Sequence, residues 1–126
     1  MIERFDHIVL TVSDIEASVA FYTRVLQMRE HSFGAGRKAL CFGTQKINLQ
    51  VVGQEPRNYA ATGSGDLCLI TTWKPDRLLD HLRAQCIEVL EGPVVKSGAL
   101  RPIISIYFND PDKNLIEVSS YERNAA

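Results

Sequence analysis

One order of elements, strand, helix and three strands, is written twice in this chain. It restricts the fold more than any other feature. Residues 5–12, FDHIVLTV, alternate as a strand requires, with Ile8, Leu10 and Val12 on one face and His7, Val9 and Thr11 on the other. Ser13 or Asp14 then offers a helix N-cap, and Glu16 completes a possible capping box with Ser13. Ile15, Val19, Phe21, Tyr22 and Leu26 recur near helical period, which predicts an amphipathic helix over 14–26. Three short strands are expected at 29–33, 38–42 and 46–52, punctuated by Gly34-Ala35-Gly36 and Gly43-Thr44-Gln45.

Residues 54–64 are polar and turn-rich, and beyond them the pattern restarts. DLCLIT, residues 66–71, alternates as a strand. Pro75 opens a helix with Leu78, Leu79, Leu82 and Cys86 on its apolar side, where a missing N–H costs nothing. A short strand is expected near 87–90, then Glu91-Gly92-Pro93 as an interrupter, then strands near 103–108 and 115–119. FDHIVLT lies over SGDLCLI, and FGTQKINLQVV over FNDPDKNLIEVS. Each half alone leaves a sheet face bare. The expectation is one α+β domain over 1–126. It has two tandem βαβββ modules (about 4–53 and 65–122, linker 54–64) that form cupped mixed β-sheets with helices outside and a cavity within.

Charge excludes some partners. The net charge is −1, from 14 basic and 15 acidic residues, so neither nucleic acid nor an anionic membrane is expected. The longest apolar runs are too short to cross a bilayer. MIERFDHIVL carries acids where a signal peptide wants positive charge, so the cytoplasm is the expected location. Cys41, Cys68 and Cys86 have neither zinc-knuckle nor CxxC spacing, which fits reduced thiols in a core.

The doubling places polar residues at matching positions. His7 in the first strand overlays Asp66. Glu117, in the last strand, overlays Asn48 or Gln50; these two leave the same strand face, and the turns differ in length too much to choose between them. A neutral imidazole, two carboxylates and an amide oxygen are sound ligands for a hard or borderline divalent ion, with positions left for water or substrate. Each also has an ordinary reading: a hydrogen-bonded strand histidine, a turn aspartate after Gly63-Ser64-Gly65, a solvent-facing glutamate. His31, in a charged edge stretch, and His81, on a polar helix face, read as surface residues.

At these residues, DHIVLTVSDIEASVAFYTRVLQM at the front and YFNDPDKNLIEV at the back, the chain resembles the vicinal oxygen chelate superfamily. That superfamily includes glyoxalase I, bleomycin-resistance proteins, fosfomycin-resistance enzymes, extradiol dioxygenases and methylmalonyl-CoA epimerase. RKALCFG, LCLIT and IYFNDPDKNLIEVSSY look closest to glyoxalase-domain-containing protein five and its bacterial virulence-associated relatives. The resemblance implies a divalent metal (Zn, Ni, Co, Mn or Fe) held by His7, Gln50, Asp66 and Glu117, with Asn48 as the alternative to Gln50. It implies a homodimer with composite sites, and lyase or isomerase chemistry on a small oxygen-rich molecule through an enediolate, with Glu117 as the base. Ser105 and Tyr107, on one strand face, are candidate substrate contacts; Arg37 and Arg101 could meet an anionic substrate, and Cys68 could line the pocket. The departures are an amide where glyoxalase I has Glu, and Asp66 where His is common. Gln beside His and Glu suits epimerase-like sites. One His with two carboxylates disfavours extradiol chemistry. Metal-free sequestration of a small molecule, as in bleomycin-resistance proteins, is the alternative.

Overall fold

A computed structural model describes residues 1–121. Its elements run β1 (His7–Thr11), α1 (Ile15–Val25), β2 (Arg29–Phe33), β3 (Arg37–Phe42) and β4 (Gln45–Gln50). The series repeats as β5 (Asp66–Ile70), α2 (Pro75–Ala84), β6 (Glu91–Ser97), β7 (Pro102–Asn109) and β8 (Leu115–Tyr121). The doubled βαβββ order expected from the sequence is therefore present, as two four-stranded mixed sheets ordered β1-β4-β3-β2 and β5-β8-β7-β6. In each, the first strand runs parallel to the last, and the remaining pairs are antiparallel. The helix supplies the crossover that a parallel pair needs.

The chain divides into two compact units, Met1–Gly65 with Pro111–Lys113, and Asp66–Asp110 with the chain from Asn114 onward. In the first, Leu10, Val12, Leu40, Ile47 and Leu49 are buried on one sheet face, and Val19, Tyr22 and Val25 of α1 are buried with them. Each such side chain contributes about 1.5–3 kcal/mol on leaving water. Asp14 is the N-cap of α1, and its carboxylate accepts from the Ala17 N–H at 3.1 Å. Ser13 has a different partner: its hydroxyl and backbone N–H both donate to the Asp112 carboxylate in the β7–β8 turn. Gly63 lies so close to that turn that a Cβ would meet the Asp112 carbonyl oxygen at 2.5 Å.

In the second unit, Ile106, Phe108, Ile116 and Val118 are buried on one sheet face, with Leu78 and Leu82 of α2. Two expectations are corrected here. The strand placed near 87–90 lies at 91–97, and Gly92-Pro93 is inside it rather than interrupting it. Strand β6 is an edge, where proline's missing donor is tolerated, and a register shift between Glu91 and Val94 absorbs the irregularity. Gly92 is needed there: its φ is 113°, and a Cβ would meet the Ser105 carbonyl oxygen at 2.2 Å. The cysteines are all free, but they do not form core: Cys41 is half-buried, and Cys68 and Cys86 are exposed. Cys86 lies beyond the end of α2 with φ 59°, so it leaves the apolar face expected of it. Among the described residues, no helix is long and apolar enough to cross a membrane.

Candidate functional site

Strand register decides which residues correspond. In the first unit His7 lies opposite Lys46 and Val9 opposite Asn48; in the second, Asp66 lies opposite Leu115 and Cys68 opposite Glu117. With His7 and Asp66 equivalent, Asn48 is the counterpart of Glu117, and Gln50 is the counterpart of Ser119. Residues directly opposite in register share a sheet face. His7 with Asn48 is thus a diagonal pair on one face of the first sheet, as Asp66 with Glu117 is on the second. Gln50 pairs instead with Thr11, at the far end of β1 from His7.

The first pair combines an exposed and a buried group. The His7 side chain is 42% exposed, and its Nδ1 lies 2.8 Å from the Asp6 carboxylate. Its hydrogen bond to His7 holds the Asp6 carboxyl below the usual carboxylate range. Asn48 is 4% exposed, and its Oδ1 has no hydrogen-bond partner. A buried carbonyl oxygen left unsatisfied costs about 1–3 kcal/mol, a cost that a bound water, ion or ligand would relieve. Gln50 differs, because its amide donates to Thr11 Oγ1 at 3.0 Å and both residues are buried.

The second pair is embedded in hydroxyls. Ser105 Oγ donates to Glu117 Oε2 at 2.6 Å, and Ser119 Oγ lies 2.7 Å from Ser105 Oγ. Each hydroxyl has one proton. Ser105 gives its proton to the carboxylate, so Ser119 gives its own to Ser105, and the 3.5 Å approach of Ser119 to Glu117 is secondary. The Cys68 thiol lies 3.5 Å from Ser119 Oγ, beside this chain. Partial burial pushes the thiol's pKa up, the Ser119 hydrogen bond opposes this, and the Glu117 charge adds to it, so the group stays a thiol at neutral pH. Tyr107 is directly opposite Glu117. Desolvation, then its hydrogen bond to that carboxylate, raises the phenol to about 12.

Of the residues singled out in the sequence, Ser105, Tyr107 and Glu117 come together, with Cys68 alongside and Asp66 on the same face of β5. His7 and Asn48 share the first unit with Gln50. Among the described residues, no three His, Cys, Asp or Glu side chains are grouped as a metal site. Ser119 was missed; it is two residues beyond Glu117 on the same strand face, and that spacing is the signal. Also missed was a pocket of about 390 Å³ in the first unit, bounded by Asp6, Arg29, His31, Cys41, Lys46 and residues 43–45.

A tandem βαβββ chain with these first- and last-strand polar positions has the vicinal oxygen chelate fold. The comparisons agree: the family model described as Glyoxalase/Bleomycin resistance protein/Dioxygenase superfamily matches residues 4–118, and the chain belongs to that superfamily. It is 47% identical over 124 residues to virulence protein STM3117 of Salmonella typhimurium, covering 96% of this chain and 86% of the relative. It is also 47% identical to glyoxalase domain-containing protein RDO1 of Mycosarcoma maydis, covering 96% and 70%. A solved structure from the mobile metagenome of V. Pseudocholerae is 48% identical, with a TM-score of 0.92 and 98% of each chain covered.

Proposed function

We propose that this protein is a glyoxalase-like lyase or isomerase of the cytoplasm, acting on a small oxygen-rich molecule with a divalent metal ion. The observation that carries the reading is the orphaned, buried Oδ1 of Asn48 at the position equivalent to Glu117. It is an oxygen donor with nothing to bind. With His7, Asp66 and Glu117 it makes a mixed imidazole and oxygen set suited to Mn, Fe, Co, Ni or Zn. Asn48, the alternative to Gln50, is preferred in this reading as the counterpart of Glu117 in strand register. The reading includes the homodimer that the superfamily leads one to expect, in which a second copy completes each ligand set. The metal, when bound, would polarise a substrate carbonyl and stabilise the enolate-like charge beside it.

The chain's own residues manage the proton. Ser105 fixes one oxygen of Glu117, and Ser119 fixes Ser105. Glu117 cannot be a tight ligand and a free base at once, so in this reading it leaves the ion to take a proton from carbon beside a carbonyl and to return it. Tyr107 remains protonated through neutral pH and donates to that carboxylate, which tempers its basicity.

The amide at position 48, where a carboxylate would bind metal more strongly, favours a second reading: a metal-free protein that sequesters a small molecule. Metal analysis separates the two. Protein purified without chelator is expected to hold about one divalent ion per chain after exposure to a panel of Mn, Fe, Co, Ni and Zn, reduced about tenfold in His7→Ala and in Glu117→Gln. A folded dimer that takes up none of these ions sinks the enzyme reading and leaves sequestration.

A further inference from the structure

A transverse row of side chains crosses the first sheet on its His7 face. Arg29 lies opposite Cys41, Cys41 opposite Lys46, and Lys46 opposite His7, so one line joins β2, β3, β4 and β1. The roughly 390 Å³ pocket opens along this row, bounded by Asp6 and Lys46, the chain neighbour and register neighbour of His7. Two cations, Arg29 and Lys46, bound it, with Cys41 between them in the row and His31 also at its edge. Neither cation forms an ion pair among the described residues.

Phe33, on the same strand face as Arg29 and His31, holds the cluster in place. Lys46 Nζ is 3.8 Å from its ring centroid and Arg37 Cζ is 4.8 Å away, while the His31 ring is parallel to it with centroids 6.1 Å apart. A cation over an aromatic face is positioned without being neutralised. The one acid bounding the pocket among the described residues, Asp6, stays ionised beside His7 and Lys46 and offsets one of the two cations, while Glu30, on the opposite sheet face, is tied to Lys38 at 2.9 Å. With Arg29 and Lys46 against that single carboxylate, the pocket keeps an excess of positive charge.

We propose that this pocket binds the acidic group of a small organic anion, a carboxylate or a phosphate, through Arg29 and Lys46. The rest of the ligand then lies along the row toward His7. Arg29 supplies the planar fork that grips two oxygens at once, and Lys46 supplies a point charge. This inference names a substrate class for the site proposed above, and it rests on that reading in taking His7 as part of the reaction centre.

The test is calorimetric titration of the metal-free protein with succinate, with phosphoglycolate and with uncharged dimethyl succinate. Saturable binding of either anion, with none of the ester, is expected, and the anion that binds more tightly identifies the acidic group. Arg29→Gln and Lys46→Gln should each weaken it by about tenfold, the loss of one charge-assisted hydrogen bond. Arg83→Gln, a surface change on α2, should leave it within about twofold. Absence of saturable anion binding, equal binding of the ester, or an equal loss in Arg83→Gln overturns the proposal. Because the titration needs no metal, metal uptake with no anion binding defeats this inference alone. Anion binding with no metal uptake defeats only the metal reading.

Discussion

Ser105 donates its hydroxyl proton to Glu117 Oε2 across 2.6 Å, and it does so with none of its own surface exposed to water. A carboxylate on a mid-sheet strand is thereby held from beneath by a neighbouring strand. Removing the donor leaves an acceptor short of a partner. Ser105→Ala is expected to destabilise the protein by about 1–3 kcal/mol in denaturant melts. A double-mutant cycle with Ser119→Ala should show coupling of at least about 0.5 kcal/mol, since the second serine acts through the first. Additive losses would break the proposed chain.

Tyr107 gives a pH signature. Its folded value is raised to about 12 from an ordinary 10, so the native state favours the neutral phenol. The corresponding stability is fully present below the unfolded value near 10, and it is lost as pH rises from there through 12. Tyrosine absorbance titration of the native protein should contain a high-pH component that disappears in Tyr107→Phe, and the variant should lose less stability over that alkaline window. A component that survives the substitution would assign the shift elsewhere.

The orphaned amide predicts opposite outcomes for two replacements. Asn48→Leu replaces an unsatisfied acceptor with an apolar side chain of the same branching and heavy-atom count, and is expected to stabilise the fold by about 1 kcal/mol where the neighbours admit its larger methyl groups. Asn48→Asp places a charge at the same buried position and should destabilise it by about 1–3 kcal/mol in chelator. Added Mn or Ni should reverse that loss, because a ligand that binds only the folded form raises its stability. Thermal melts with and without the ion provide the measurement; indifference of Asn48→Asp to metal would remove Asn48 from the ligand set.

Gly92 is the least replaceable turn of backbone in the second unit. Gly92→Ala combines a φ of 113° with a Cβ placed 2.2 Å from the Ser105 carbonyl oxygen, and backbone must move to relieve the contact. Strain of about 1–3 kcal/mol is expected before any loss of β6–β7 pairing. Hydrogen exchange should show the damage centred on β6 and on the Ser105 segment of β7. Protection equal to the parent at both would refute the assignment.

Much of this was readable in the chain. Alternation in FDHIVLTV and DLCLIT, with a 3.6-residue rhythm after each, was enough for the doubled order. The first module's five elements fall within a residue or two of their expected places. Strand β6 was not legible, because Gly92-Pro93 reads locally as a break, and only its place at a sheet edge makes it a strand. A preference between Asn48 and Gln50 rests on strand pairing across 39 residues of chain in the first unit and 49 in the second, and the β3–β4 and β7–β8 turns differ in length, so no local pattern could supply it. Arg29 and Lys46 escaped for the same reason. Nothing in REHSF or TQKIN reveals that they stand in one row with His7, since only strand register puts them there.

Asp112 has a consequence of its own. It belongs to the tip of the last hairpin in the sequence, yet it satisfies Ser13 at the approach to the first helix and counts among the first unit's residues. Cutting the chain after Gly65 would therefore strip the amino-terminal fragment of a carboxylate that fixes the start of α1. The two written copies of the pattern no longer amount to two detachable pieces, since the first now depends on a stretch of chain supplied by the second.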